Sequence, residues 1–228
     1  MIPIFIGECG HHQTLGCMSM RVSILYDNTA RDDRLTPGWG FSCLVEAYGL
    51  NILFDTGADA GILAGNMKIM GVDPRTVDCI FISHDHWDHT GGLSALVEKT
   101  DARVYVPESF AGAQASVTRI RKPLKLAEHI HSTGELNHGE QSLVVCLGDA
   151  VVVVVGCAHP GVREILAAAS AFGNVSALIG GLHGCDDFDL LGDLNIICPT
   201  HCTRRIDEIA ALYPGKYIPG GAGAIISF

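Results

Sequence analysis

The sequence has no apolar run near the roughly 20 residues that a membrane-spanning helix requires. Its longest, Ala150 to Val155, is the length of a strand. No basic residue precedes Arg21, which argues against a secretory signal. Low-complexity tracts and a fixed-period repeat are also lacking, which excludes a disordered chain and a solenoid. Charge is scarce at 18%, and basic residues are outnumbered by acids, 15 against 25, for a formal net charge of −10. A surface that tracks nucleic-acid phosphates needs the opposite balance. Neither nucleic acid nor a membrane is therefore expected as a partner. The nine cysteines show no paired spacing, so they read as reduced thiols of a cytoplasmic protein and not as a disulfide scaffold.

What is present suits a folded catalyst. Of 228 residues, 48% are apolar, enough for one compact domain with a sizeable core. Residues 1–19 lack periodicity and read as an N-terminal extension, with Met18 or Met20 as the natural start and His11 and His12 as surface residues. Residues 20–228 read as a single domain. Strands are expected at Arg21–Tyr26, Ser42–Ala47, Asn51–Phe54, Asp78–Ser83, Arg103–Val106, Ser142–Cys146, Ala150–Cys157, Val175–Gly180 and Asn195–Cys198, with a last short strand in the tail. Helices are expected at Ala58–Met70, Gly92–Lys99, Val162–Phe172 and Arg204–Leu212, the last capped by Thr203. The stretch from Glu108 to Glu140 reads as mixed helix and loop. Two sheets covered by helices on their outer faces is the natural packing for this pattern.

Five of the apolar strands lead into a residue able to bind or orient a cation. They run to Asp55, His84, His159, His183 and His201. Where strands run parallel, such ends lie along one edge, and ligands bind there. The densest of them, SHDHWDHTGG, places His84, His86, Asp88 and His89 within six residues. That donor set suits zinc, iron or manganese, which bind neutral imidazole nitrogen and carboxylate oxygen at about 2.0–2.2 Å. His84 and His86 can face one ion, and Asp88 and His89 a second. Gly91 and Gly92 let the backbone pass close to the site.

H-x-H-x-D-H after an apolar strand, preceded by Phe54-Asp55-Thr56-Gly57 and followed by isolated histidines at 159 and 201, resembles the metallo-β-lactamase superfamily. The resemblance covers the chain from Met20 onward. It implies an α/β fold, the four-layer αββα sandwich, with two divalent metal ions at one edge. By position, His84, His86 and His159 would hold one ion and Asp88, His89 and His201 the other, zinc foremost, with Asp55 orienting a ligand imidazole. Asp88, Asp55 and His183 are the side chains it implies for the reaction. The segments SILYDNTA, GFSCLVEA, ILFDTGA, DHWDHTGGL, TGEL, GCAHPGV, IGGLHG and PTHCTR resemble a finer group. That group includes the archaeal 7,8-dihydropterin-6-methyl-4-(β-D-ribofuranosyl)aminobenzene 5′-phosphate synthases of methanopterin biosynthesis.

Two features depart from the pattern. Asp85 stands where that group is expected to carry glycine. The strand leading to His183 ends in GGLHG, where two-metal members commonly carry a bridging carboxylate; Asp186 and Asp187 follow only later, and His183 is a candidate metal ligand or substrate contact. Arg119, Arg121, Lys122 and Lys125 form a basic cluster read as a solvated loop or as a dock for a phosphorylated small molecule, Arg121 and Lys122 foremost. Trp87 is expected to pack under the ligand loop, or to stack on substrate. His129, His131 and His138 read as loop residues, and Cys202 as a packed thiol. The implied activity is hydrolysis, or group transfer with a phosphate or pyrophosphate leaving group. The rivals are a generic ester, phosphodiester or thioester hydrolase, a diiron redox enzyme, an RNA-processing enzyme and a metal-binding sensor. Assembly into a homo-oligomer stays open.

Overall fold

The computed structural model describes residues 19–112 and 116–228. His11, His12 and nearly all of the expected N-terminal extension lie outside the described residues. The first half runs β1 (Met20–Tyr26), β2 (Ser42–Ala47), β3 (Leu50–Phe54), α1 (Ala60–Ile69), β4 (Cys79–Phe81), α2 (Trp87–Thr90), α3 (Leu93–Val97), β5 (Arg103–Pro107) and β6 (Val117–Ile120). The second runs β7 (Leu124–Ala127), β8 (Ile130–Ser132), β9 (Leu143–Leu147), β10 (Ala150–Val155), α4 (Val162–Ala169), β11 (Asn174–Gly181), α5 (Phe188–Leu191), β12 (Ile196–Thr200), α6 (Ile206–Leu212) and β13 (Ile225–Ser227).

These strands form two mixed sheets, in the orders β13-β1-β2-β3-β4-β5-β6 and β12-β11-β10-β9-β8-β7. Alternation along each strand decides which layer a side chain enters. On β3, Ile52 and Phe54 enter the core between the sheets, while Leu53 faces outward under α1 and α3 with Leu63, Met67 and Leu93. On β10, Val152 and Val154 enter the central core, and Val151, Val153 and Val155 pack under the helices with Ile165 of α4 and Ile209 of α6. The chain thus adopts the αββα architecture, with one apolar layer between the sheets and one beneath each helical face.

Most expected elements form within a residue or two of their expected bounds. Two differ in kind. The stretch from 108 to 140 holds three strands, β6 to β8, and one 3-10 turn among its described residues, because β6 pairs with β5, β8 with β9, and β7 with β8. Tertiary pairing decides such short segments, which carry little pattern of their own. Thr203 does not cap α6, which starts after Arg205. Its hydroxyl donates to the Thr200 carbonyl and accepts the Leu182 amide, tying β12 to the end of β11.

The parallel pairs β3-β4 and β10-β11-β12 point their carboxyl ends the same way within each sheet. β1 is antiparallel to β2, which is antiparallel to β3, so β1 ends at that edge too. Several residues at these ends take left-handed backbone conformations: Asp55 at φ 52°, Ala158 at 55°, His183 at 46° and His201 at 46°. Non-glycine residues occupy that region only where surrounding structure holds them, and such strain concentrates at functional sites. Among the described residues, no helix is long and apolar enough to cross a membrane.

Candidate metal centre

At this edge the loop after β4 meets the ends of β1, β3, β10, β11 and β12. Gly91 and Gly92 make the meeting close. A Cβ on Gly91 would lie 2.1 Å from the Ala58 carbonyl oxygen, and one on Gly92 2.6 Å from that of Thr56. The Thr56 amide and hydroxyl both donate to the His89 carbonyl, which locks the two loops together. Asp85, unexpected by resemblance, accepts the Ala111 amide at 2.8 Å and ties the histidine loop to the segment after β5.

Four groups of donors result, each with its ligand atoms within 4.8 Å of one another. Two of them, His84, His86 and His159, and Asp88, His89 and His201, form the donor sets built from predicted residues, and Cys157 joins the other two. The structure therefore gathers six of the predicted residues into the two groups the resemblance implied. His84, Asp88, His89 and His201 are buried, and His86 is exposed with its ring against those of His84 and His159.

Tautomers follow from the hydrogen bonds. Fully buried Asp55 accepts the Ser83 amide and hydroxyl, each at 2.7 Å. With its one proton given to Asp55, the Ser83 hydroxyl must accept from His84 Nδ1, 2.9 Å away. That leaves Nε2 of His84 as a lone pair, 3.0 Å from His86 Nδ1. Asp55 also accepts from His89 Nδ1 at 2.7 Å, leaving Nε2 of His89 bare. His201 Nδ1 lies 3.0 Å from the Asn28 side-chain oxygen, and its Nε2 is 3.3 Å from Asp88. An imidazole that donates through one nitrogen presents the other to a cation, as metal-ligating histidines do.

The electrostatics agree. Burial, then the neighbouring imidazoles, pushes His84 well below the ordinary histidine range, and the same causes bring His159 down to about 4. Both are neutral, as ligation requires. Burial alone would lower His89 and raise Asp88. The Asp55 charge and hydrogen bond turn His89 upward, and the close approach of His201 Nε2 and the charge of His89 hold Asp88 well below the carboxylate range. Three buried nitrogens, His159 Nε2, His183 Nδ1 and His201 Nε2, have no hydrogen-bond partner. Buried polar atoms are rarely left so, and a cation would satisfy those of His159 and His201. The donor chemistry and these orphaned atoms fit divalent metal ions.

The remaining predicted residues fall less centrally. The His183 ring lies 5.1 Å from that of His159, yet His183 enters neither donor set. Asp186 and Asp187 do not bend back as bridging carboxylates. They pair outward with Arg205 and Arg163, each at 2.6 Å. Trp87 does not pack under the ligand loop. It is 65% exposed, because it opens α2 on the side away from the sheet. Arg119 is no free dock, since its guanidinium donates to the carbonyls of Glu108 and Phe110. Lys125 pairs with Glu128, whereas Arg121 and Lys122 are exposed. His129 stacks on Tyr48 and His131 on Phe172, both apart from the centre.

Four contributors lie outside the residues expected from sequence. Fully buried Glu140 accepts the amides of Gly156, Cys157 and Ala158 on one oxygen and of His159 on the other, at 2.9 to 3.1 Å. Burial raises its carboxyl despite those amides. Asp27 and Asn28, at the end of β1, hold the His201 backbone from both sides. Their place after an apolar strand is the same signal that exposed the other five. Trp39 donates to Asp88 at 2.9 Å with its ring against His201, and nothing local marks it.

Comparison with known proteins agrees with this geometry. Residues 35–115 match the model of the metallo-beta-lactamase superfamily. The chain is 25% identical to the 7,8-dihydropterin-6-methyl-4-(beta-D-ribofuranosyl)-aminobenzene-5′-phosphate synthase of Methanocaldococcus jannaschii, over 73% of this chain and 80% of that protein. Among solved structures it superposes on Tm1679, a metal-dependent hydrolase of the beta-lactamase superfamily, with a TM-score of 0.75 and 25% identity over 91% of this chain and 98% of that one. The metallo-beta-lactamase fold protein YhfI of Bacillus subtilis shares the fold at a TM-score of 0.65 and 15% identity, over 92% of this chain and 99% of that one. Residues 35–115 thus carry the match to the metallo-β-lactamase superfamily, and the chain as a whole resembles the archaeal synthase and the hydrolase Tm1679.

Proposed function

We propose that the protein is a two-metal enzyme acting on a phosphorylated small molecule, with His84, His86 and His159 holding one ion and Asp88, His89 and His201 the other. The observation that carries this reading is the convergence of six donors, three of which, His84, His89 and His201, turn one ring nitrogen to the site while the other is hydrogen-bonded. A pair of divalent ions supplies Lewis acidity toward phosphate oxygens and an acidified water. Zinc suits the donors best, and iron and manganese also fit them.

The protein's own part is orientation and charge. Asp55 and Asn28 fix the tautomers of His89 and His201, and Trp39 holds Asp88 facing His201. Arg121 and Lys122, exposed on the segment between β6 and β7, are the side chains proposed for a distal phosphate. The likeness to the synthase favours attack by an arylamine nitrogen on a pterin methylene carbon. The carbon–oxygen bond to pyrophosphate breaks as the new carbon–nitrogen bond forms, and the amine proton leaves to solvent. Attack of water on a phosphoryl or acyl centre is the alternative within the same site.

Elemental analysis of the purified protein, with turnover assays, tests the proposal. Two zinc ions per chain and consumption of a pterin diphosphate with a ribosylaminobenzene phosphate would support group transfer. Activity confined to generic phosphodiesters or lactones would move the assignment to hydrolysis. Bound metal with no turnover of either class would indicate a sensor. An Arg121→Ala/Lys122→Ala double variant with an unmoved KM for phosphorylated substrates would remove the basic segment from the site.

A further inference from the structure

Two sulfurs lie against the donor sets. Cys157 lies two residues past the end of β10 and two before His159, and Cys202 follows His201. The Cys157 sulfur is 3.2 Å from His89 Nε2. Its ligand atom groups with those of His84 and His89, and separately with those of His201 and Cys202, within 4.8 Å in each case. His84 belongs to the first donor set, and His89 and His201 to the second. Of the side chains outside the two sets, Cys157 thus reaches members of both.

The contact with His89 is informative in its own right. Nδ1 of His89 donates its hydrogen bond to Asp55, so the neutral ring turns a lone pair toward Cys157. A lone pair and a sulfur are drawn together in a buried place by a proton or a cation between them. The end of β11 offers no competing bridge. A Cβ on Gly181 would lie 2.5 Å from the Gly156 carbonyl oxygen and 2.7 Å from the Cys202 sulfur, so no carboxylate-bearing residue fits there.

We propose that Cys157 is a further metal ligand of this centre, its sulfur shared between the two donor sets. The proposal rests on the two-metal reading above. On binding, the Cys157 sulfur–hydrogen bond is replaced by sulfur–metal bonds, and the proton passes to solvent. Soft thiolate beside imidazole and carboxylate selects zinc or iron over magnesium or calcium.

X-ray absorption at the zinc edge of the full chain, stripped by chelator and reloaded with two equivalents of zinc, separates the outcomes. Zinc–sulfur scattering falls at about 2.3 Å, clear of nitrogen and oxygen at about 2.0–2.2 Å. The expected result is a sulfur shell at the weight of one sulfur per zinc, kept in Cys202→Ser and lost in Cys157→Ser. Two bound zinc ions with only nitrogen and oxygen neighbours would overturn the inference and leave the two-metal reading standing. Failure to bind zinc would overturn both. A shell at half that weight would confine the sulfur to one ion and overturn the sharing. Should Cys157→Ser not fold, the Cys202→Ser spectrum decides, because loss of the shell there would assign the sulfur to Cys202.

Discussion

Asp55 accepts the Nδ1 proton of His89 across 2.7 Å, and neither side chain reaches solvent. The same carboxylate holds the amide and hydroxyl of Ser83, which in turn orients His84. One residue at the end of β3 therefore sets imidazoles of both donor sets. Asp55→Asn replaces an acceptor oxygen with a donor nitrogen among groups that all donate to it. Zinc affinity is expected to fall by about 10–100-fold, the usual effect of losing such a partner. Competition against a chromophoric chelator measures this, and unchanged affinity would remove the positioning role.

Glu140 plays the corresponding part for His159. Its two oxygens take four successive backbone amides, which fixes the turn from Gly156 to His159. Glu140→Gln puts an amide group against those amides. A stability loss of about 1.5–3 kcal/mol is expected from hydrogen bonds to a charged group, read as a lower urea midpoint at constant slope.

The edge was legible in the sequence because strands deliver their ligands locally. Asp55, His84, His159, His183 and His201 each follow an apolar run, and parallel pairing brings the ends together. Asp27 and Asn28 obey the same rule and could have been found by it. Glu140 and Trp39 could not, because they act across the fold at a distance no local pattern encodes. The stretch from 108 to 140 failed for a related reason. Its short strands are mixed in polarity, and β6 pairs with β5 while β8 pairs with β9. Trp87 misled because an aromatic residue ordinarily packs, whereas its place at the start of α2 turns it to solvent.

The depressed histidines make a prediction about pH for the metal-free protein. His159 titrates at about 4 when folded and near its ordinary 6.5 when unfolded. The unfolded chain therefore binds more protons below about pH 6.5, and folding stability falls as pH drops through that value toward about 4. His84 acts in the same direction, and His89, raised by Asp55, acts against it. Comparing chelator-treated wild type with His159→Gln isolates the His159 share. The variant's melting temperature should decline less steeply over that window. Parallel declines would show that His159 titrates normally in the fold.

Gly156, just past β10, packs against Ser83 and His84 from the other sheet. A Cβ there would lie 2.2 Å from the Ser83 hydroxyl oxygen and 3.0 Å from His84 Nδ1. Its backbone is ordinary, for it is not among the residues at positive φ, so alanine is opposed by sterics alone. Accommodating the methyl must displace Ser83 from Asp55 or rotate His84. Gly156→Ala is expected to cost about 1–3 kcal/mol as an overpacked core does, and to lower zinc affinity about tenfold through the lost orientation of His84. Gly184, three residues past β11's close approach to Cys202 at Gly181, has open space around it. Gly184→Ala should stay within about 0.5 kcal/mol of wild type. Denaturation curves with and without zinc check both. Equal zinc stabilisation of the two variants would mean that the Ser83–His84 contact does not govern the metal.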